Sequence, residues 1–269
     1  GIGIATHIEV AGGPFGMNIK EVARLRVSKK GEFIIAPGSM SVGQGLETSF
    51  PDIVAGELNI DANRIRYVQG DTDYLPSGRG SGGSAATITG GSAIINASKI
   101  LIETGSEIAA DVLKCDISDI RYDGGNFYKK NVSGNMLGWS DIAQYSNHPE
   151  GLDIIGEFTP SAPTYPNGCH ICEVEIDTTT GKCFILDYVA VEDVGTALYP
   201  VLIEGQMLGG IVQGISQALG ESLIYDETGQ LSTGSFMDYQ MPIASDFPNF
   251  RIKTHPVKTK INPLGAKGV

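Results

Sequence analysis

The chain predicts an α+β fold in two halves, each a mixed or antiparallel sheet with packed helices, and three observations carry this. Alternating apolar residues over Ile19 to Val27 and Phe33 to Ile35 flank Lys30-Gly31, and those over Glu173 to Ile176 and Phe184 to Val191 flank Asp177-Thr178-Thr179-Thr180-Gly181; both read as hairpins. Two long stripes of helical period lie between and beyond them. An irregular stretch near residues 150 to 165 joins the halves, which are taken as 1–155 and 156–269.

In chain order, the first hairpin is followed by a helix over Glu47 to Leu58 and a strand over Ile65 to Val68 that leads into Gly70-Asp71-Thr72-Asp73. Ser84 is placed as the N-cap of a helix carrying Ala93, Ile94, Ala97, Ile100, Leu101, Ile108 and Val112, interrupted near Thr104-Gly105. From Ser118 to Pro166 the reading is irregular: short strand-like pieces, turns at Gly124-Gly125 and Ser133-Gly134, and a short helix after Ser140. A last helix follows Pro200 with a stripe of Ile203, Met207, Leu208, Ile211, Val212, Ile215 and Leu219. Gln206, Gln213 and Gln217 border that stripe, where amides need polar partners.

With 269 residues the chain can bury a full core, and 41% hydrophobic residues suit a globular protein. A formal charge of -12 argues against nucleic acid or an anionic membrane as partner, because acidic side chains repel phosphate. No apolar run reaches spanning length and the start, Gly1-Ile2-Gly3-Ile4-Ala5, lacks a basic flank, so a cytoplasmic protein is expected. Four cysteines in a chain of this size fit a reducing compartment.

Several motifs fail on geometry. Gly78 to Gly83 matches a dinucleotide-binding string, yet no strand immediately precedes it. Asp71 and Asp73 open like a calcium loop, but Leu75 lacks an oxygen and Pro76 sits at the glycine position. Cys169 and Cys172 read as buried thiols on opposite faces of a strand, and Ser216 as a helix residue rather than a nucleophile. His7, His148, His170 and His255 are scattered, and no chemistry is assigned to them.

Two glycine-dense loops remain: Gly43-Gln44-Gly45-Leu46-Glu47-Thr48, and Gly78-Arg79-Gly80-Ser81-Gly82-Gly83-Ser84 running into the long helix. Glycine lets main-chain amides approach a ligand, and a helix start presents unpaired donors to an anion. The pair reads as a phosphate and pterin cradle.

Together with Gly12-Gly13-Pro14-Phe15, Gly70 to Asp73, Glu173 to Asp177, Asp193-Val194-Gly195, Gln213-Gly214, Asp238-Tyr239 with Pro242, and Gly265 to Val269, these loops occur in an order that resembles the molybdenum hydroxylases. That family comprises the large subunits of xanthine dehydrogenases, aldehyde oxidases and carbon monoxide dehydrogenases, and the resemblance covers essentially the whole chain. It implies the molybdenum-cofactor-binding type of α+β fold and a molybdopterin cytosine dinucleotide carrying molybdenum. Gln44 with Gly45, the turn Gly82, Gly83, Ser84, Ala85 and Ala86, and Gln213 are the cofactor-binding residues it implies, with no direct protein ligand to the metal. Ala85 stands where many relatives carry arginine.

The resemblance further implies water-derived hydroxylation of an aldehyde or N-heteroaromatic carbon, with electrons leaving through iron–sulfur and FAD groups on partner domains or subunits. The family's catalytic glutamate is expected just beyond Val269, and Gly1 corresponds to a point well inside the large subunit. The chain is therefore expected to be an incomplete molybdopterin-binding domain, a fragment or separately encoded piece, inactive alone and partnered by the remainder of the molybdenum subunit. The alternative is a non-catalytic assembly subunit that completes a cofactor site on a partner chain.

Overall fold

The computed structural model of the chain describes residues 1–13, 20–75, 77–132, 134 and 136–269. Ile19, the expected start of the first hairpin, Pro14 and Phe15 of the first glycine motif, Pro76 and Ser133 lie outside the described residues. The chain divides into two compact units, one of Val10–Thr164 with Lys258–Gly268 and one of Gly1–Glu9, Tyr165–Val257 and Val269. The fold is α+β, with helices packed on separate sheets.

The first unit is built on strands β2 (Glu21–Ser28), β3 (Phe33–Pro37), β4 (Ile65–Tyr67) and β8 (Gly151–Phe158), numbered along the chain after β1 (Ile2–Ile8) of the other unit. They lie in the order β4-β3-β2-β8, antiparallel except for the parallel β3–β4 pair. Helices α1 (Leu46–Leu58) and α2 (Gly91–Leu113) supply the apolar cover. Leu25, Val27, Phe33 and Ile35 of the sheet are buried with Phe50, Val54, Ile94, Ala97 and Leu101 of the helices. This is the ordinary outcome of alternation on strands meeting a 3.6-residue stripe.

The stretch expected to be irregular is largely ordered. Strands β5 (Ile120–Asp123), β6 (Asn126–Lys129) and β7 (Met136–Gly138) form a small antiparallel sheet, and α3 (Trp139–Gln144) follows it. Strand β8 pairs with the whole of β2. Its Gly156 looks like a strand breaker in sequence, but a Cβ there would lie 2.3 Å from Ala93 O and Ala97 N, so the residue exists to let α2 approach.

Two expectations about α2 are corrected. Ser84 is not its N-cap: Ser84 is left-handed, at φ 48°, and residues Ala86–Gly90 form a π turn before the regular helix begins at Gly91. Nor does the helix break near Gly105, because a Cβ there would lie 2.4 Å from Phe127 Cζ and 3.0 Å from Trp139 Cζ3. Gly105 is a seat for aromatic rings, and the neighbouring contacts outweigh its low helix propensity.

The second unit holds strands β1, β9 (Asn167–Ile176), β10 (Cys183–Asp193) and β11 (Arg251–Thr254) in that order, with helix α4 (Pro200–Leu219). The β9–β10 hairpin turns where expected, with Asp177 accepting from Thr179 N and Thr180 Oγ1. β1 had no counterpart in the sequence reading. Ala190, Met207 and Ile211 form a small buried cluster against Tyr188, Ile203, Ile215, Phe250 and Ile252.

Candidate functional site

The two glycine loops meet in the first unit, and polar side chains join them. Gln44 Nε2 donates to Met40 O at 3.0 Å and to Ser81 Oγ at 3.1 Å, while its Oε1 accepts from Val42 N at 2.5 Å. Ser81 Oγ also donates to Met40 O. Both amide hydrogens of Gln44 are committed to the loops, so what it can still offer a ligand is one acceptor position on Oε1.

Further braces were not foreseen. Gln69 accepts from Ser41 N at 2.6 Å and from Tyr67 OH at 2.9 Å, and donates to Ser41 O at 3.1 Å. Ser41 Oγ donates to Glu47, and this hydrogen bond holds the Glu47 carboxyl below its ordinary pKa. Burial pushes the Tyr67 phenol up to about 12, so it remains a donor at neutral pH. Gly45 is left-handed, at φ 82°, and its carbonyl accepts from Thr48 N and Ser49 N at the start of α1. It turns the chain into a helix; its own amide is only one element of any cradle.

In the second loop, Gly80 N donates to Gly38 O at 3.1 Å, and Gly38 has no room for a side chain because Glu21 Oε1 would lie 2.1 Å from its Cβ. Glu21 is 1% exposed and accepts from Ser39 Oγ at 2.7 Å and Val22 N at 3.1 Å. Burial pushes its carboxyl above the ordinary value, against the lowering effects of these hydrogen bonds and of Arg79. A buried acid thus underlies the second glycine loop, with no motif to announce it.

The Gly82–Ala86 turn is held from outside as well. Gly83 O accepts from Gly12 N at 3.1 Å, and Ala85 N donates to Gly82 O at 3.3 Å. The Ala11 strap is fixed by paired hydrogen bonds with Thr164, and Gly13 packs on Pro163 so closely that a Cβ would fall 2.0 Å from its Cα. Gly268 lies on the other side, where a Cβ would come within 2.6 Å of the Cβ atoms of Ala11 and Ser84. Asn262 braces that last loop through Ala266, donating to its carbonyl at 2.8 Å and accepting from its amide at 3.2 Å. Ala85 is buried, whereas Gly82, Gly83 and Ser84 are exposed and Ala86 partly so.

The structure therefore brings together Gln44, Gly45, Gly82, Gly83, Ser84, Ala85 and Ala86 with Gly12 and Gly268 in one unit. Gln213 belongs to the second unit, on an exposed face of α4. Some motif residues are structural: Asp71 accepts from Asp73 N, and Asp193 Oδ1 accepts from Gly195 N and Val257 N at 2.9 Å each.

Two expectations concerning β9 need correction. Cys169 and Cys172 are partly exposed rather than buried, though the strand does place them at alternate positions. Burial pushes the Cys172 thiol up, with Cys183 and Asp187 adding to it. The histidines are not all scattered: His7 and His170 converge on Glu192. Their sequence separation hid this, and only the unread alternation of β1 could have signalled it.

Residues 1–248 match the sequence model of the molybdopterin cofactor-binding domain. The chain is 33% identical to the carbon monoxide dehydrogenase large chain of Afipia carboxidovorans, over all of this chain and 35% of that one. It is also 33% identical to subunit gamma of the 6-hydroxypseudooxynicotine dehydrogenase complex of Paenarthrobacter nicotinovorans, over all of this chain and 34% of that one. A crystal structure of a Cu,Mo-CO dehydrogenase superposes with a TM-score of 0.88 at 32% identity, covering all of this chain and 36% of the other. The chain thus spans about a third of the length of these relatives. No helix among the described residues is long and apolar enough to cross a membrane. The ordered glycine motifs, the joined loops and the match over residues 1–248 place the chain in the molybdopterin cofactor-binding domain family.

Proposed function

We propose that the chain holds a molybdopterin, in its cytosine dinucleotide form, as the cofactor-binding part of a longer molybdenum hydroxylase assembly. The observation that carries this reading is the joined pair of loops. Gln44 ties the first to Ser81 of the second, while a Cβ at Gly43, Gly80 or Gly82 would meet nothing within 4 Å. Main chain is left open to a ligand there, while the adjoining Gly83–Ser84 turn is fixed by the Gly12 hydrogen bond and lies close against Gly268.

In this reading Gln44 offers its remaining acceptor position to a pterin N–H, and main-chain atoms of Gly82 to Ala86 contact the cofactor directly. Gly45 fixes the first loop, and Gln213 supplies a further amide. When bound, the cofactor supplies the redox chemistry for hydroxylating an aldehyde or N-heteroaromatic carbon with water. The chain's own residues bind and orient. The assembly partners are the remainder of the molybdenum subunit and subunits carrying iron–sulfur and FAD groups, in the cytoplasm.

The test replaces Gln44 or Gln213 with alanine, and Gly83 with valine, in the intact complex. Molybdenum content should fall in each; melting temperature should stay near that of the parent in the two glutamine variants, while Gly83→Val should lose most molybdenum and also some stability, because a β-branched residue is strained at φ 61°. Acid hydrolysis of the parent should release CMP equimolar with molybdenum. Full molybdenum occupancy in all three variants would leave these residues as loop and helix supports.

A further inference from the structure

The face of the β1-β9-β10 sheet that carries Tyr188 and Ala190 also carries a compact set of ligand atoms. In register, His7 of β1 and Glu192 of β10 lie on either side of Gly168 of β9, and His170 stands one step along the same face. The absence of a side chain at Gly168 makes room: a Cβ there would fall 2.3 Å from Glu192 Oε2 and 2.4 Å from Oε1. The Glu192 carboxylate therefore lies over the middle strand and reaches both imidazoles. His7 Nε2 is 3.3 Å from Oε2, and His170 Nε2 is 2.5 Å from Oε1.

Two further features set this cluster apart from a surface ion pair. Glu192 is 6% exposed, and a carboxylate buried that far needs a compensating charge or metal. His170 is oriented from behind, with Nδ1 2.8 Å from the Tyr188 hydroxyl. A metal-binding histidine characteristically uses its second ring nitrogen in this way, donating to a neighbour that fixes tautomer and ring plane. The ring of Tyr188 is itself set edge-on against both His170 and Phe250.

We propose that His7, His170 and Glu192 form a zinc site that clips the edge strand β1 to β9 and β10. Two imidazole nitrogens and one carboxylate oxygen are a three-ligand zinc set, with the fourth tetrahedral position open to water. Tetrahedral zinc–nitrogen and zinc–oxygen bonds place neighbouring ligand atoms roughly 3.3 Å apart. His7 Nε2 already stands at that distance from Oε2, the oxygen offered to the ion, while His170 Nε2 contacts the other oxygen, Oε1, and exchanges that contact for the metal as the ion enters and the shared proton leaves to solvent. The site shares no residue with the proposed cofactor cradle: His7, His170 and Glu192 all belong to the second unit, and neither Gln44, Gln213 nor the Gly82–Ala86 turn takes part.

The experiment titrates the purified full chain with Zn²⁺ against a chromogenic chelator and follows melting temperature in parallel. One Zn²⁺ per chain should bind and raise the melting temperature. His7→Ala should weaken binding at least ~10-fold and abolish the thermal shift, and Tyr188→Phe should weaken it about 10-fold through the lost orienting contact. Cys169→Ser/Cys172→Ser should bind as the parent does. Co²⁺ in place of zinc should give the visible absorption of a tetrahedral nitrogen and oxygen site without a thiolate charge-transfer band. His7 lies at the edge with its side chain 45% exposed, so its variant keeps the test valid if His170→Ala or Glu192→Gln fails to fold. Absence of stoichiometric binding, affinity unchanged in His7→Ala, or a thiolate band lost in the double cysteine variant would overturn the site.

Discussion

In the first unit, α2 and α1 exclude water from a sheet whose inward residues Leu25, Val27, Phe33 and Ile35 are all fully buried. In the second, three apolar residues are buried in the α4 cluster, while Ile2, Ile4 and Ile8 of β1 are each at least 70% exposed. The difference teaches that family membership spreads over the chain more evenly than stability does. The first unit is held by side-chain packing; the second leans on hairpin hydrogen bonds and polar contacts. The two joined glycine loops belong to the unit with the deep core, which suits the proposal that they hold open main chain in a fixed geometry.

Trp139→Ala should have the largest effect. Its ring is fully packed against Phe33, Tyr122 and Phe127, and its indole donates to Tyr122 OH at 3.1 Å. A loss of about 3–5 kcal/mol in urea denaturation is expected. A loss below that of Met207→Ala, in the smaller cluster, would invert the comparison.

Asp153→Asn comes next. Arg24 donates to both Asp153 oxygens, at 2.7 and 2.5 Å, and the Arg24 hydrogen bond holds the carboxyl well below its ordinary value, with Arg26 and His148 adding to this. About 2–3 kcal/mol should be lost at neutral pH. Because the folded pKa is depressed, this contribution is present above the unfolded value of about 3.9 and disappears as pH falls through the folded one. The gap between parent and variant should therefore close only in acid, and a gap independent of pH would exclude ionisation as its source.

Glu21→Gln has a smaller effect and the opposite sense. Here burial raises the folded pKa, so the native state gains from the proton below the unfolded value of about 4.3 and loses that gain as pH rises through the folded value. Glutamine can still accept from Val22 N and donate to Ser39. Relative to the parent, the variant should gain stability as pH rises above about 4.3 and through the raised folded value, by on the order of 1 kcal/mol. A constant difference over that range would count against a buried, raised acid.

Ile4→Thr should change stability least, within about 0.5 kcal/mol, because the side chain already faces water. A cost of 2 kcal/mol would show that β1 is buried by something in solution, and would sharpen the contrast between the units.

Legibility in the sequence followed locality. The β2–β3 and β9–β10 hairpins, α1 and α4 were readable because alternation, turn chemistry and helical stripes act over a few residues. β8 was missed because the reason for Gly156 is α2, some sixty residues away. β1 was missed because Gly3 interrupts it and every residue of it is exposed. The same holds for the candidate site. Gln44 and the Gly82–Ala86 turn are proposed from ordered motifs, whereas Ser81, Gln69 and Asn262 act through hydrogen bonds that no motif encodes. The π turn was read as ordinary helix because its residues, Ala86-Thr87-Ile88-Thr89-Gly90, carry no signature of the wider turn.

That π turn sets the phase of everything downstream. A residue inserted into or removed from a helix rotates the following side chains by about 100°. Helix α2 cannot accept such a rotation, because Gly156 admits only the Ala93–Ala97 side of it and the Phe127 and Trp139 rings admit only Gly105. The spare residue must therefore be stored at the free end, between Ser84 and Gly91, where the wider turn absorbs it. Deleting a single residue there would leave the barrel of the helix in place and wind the slack out of the loop before it, so that a change of length would be felt as a change of aim in the amides of the Gly82–Ser84 loop.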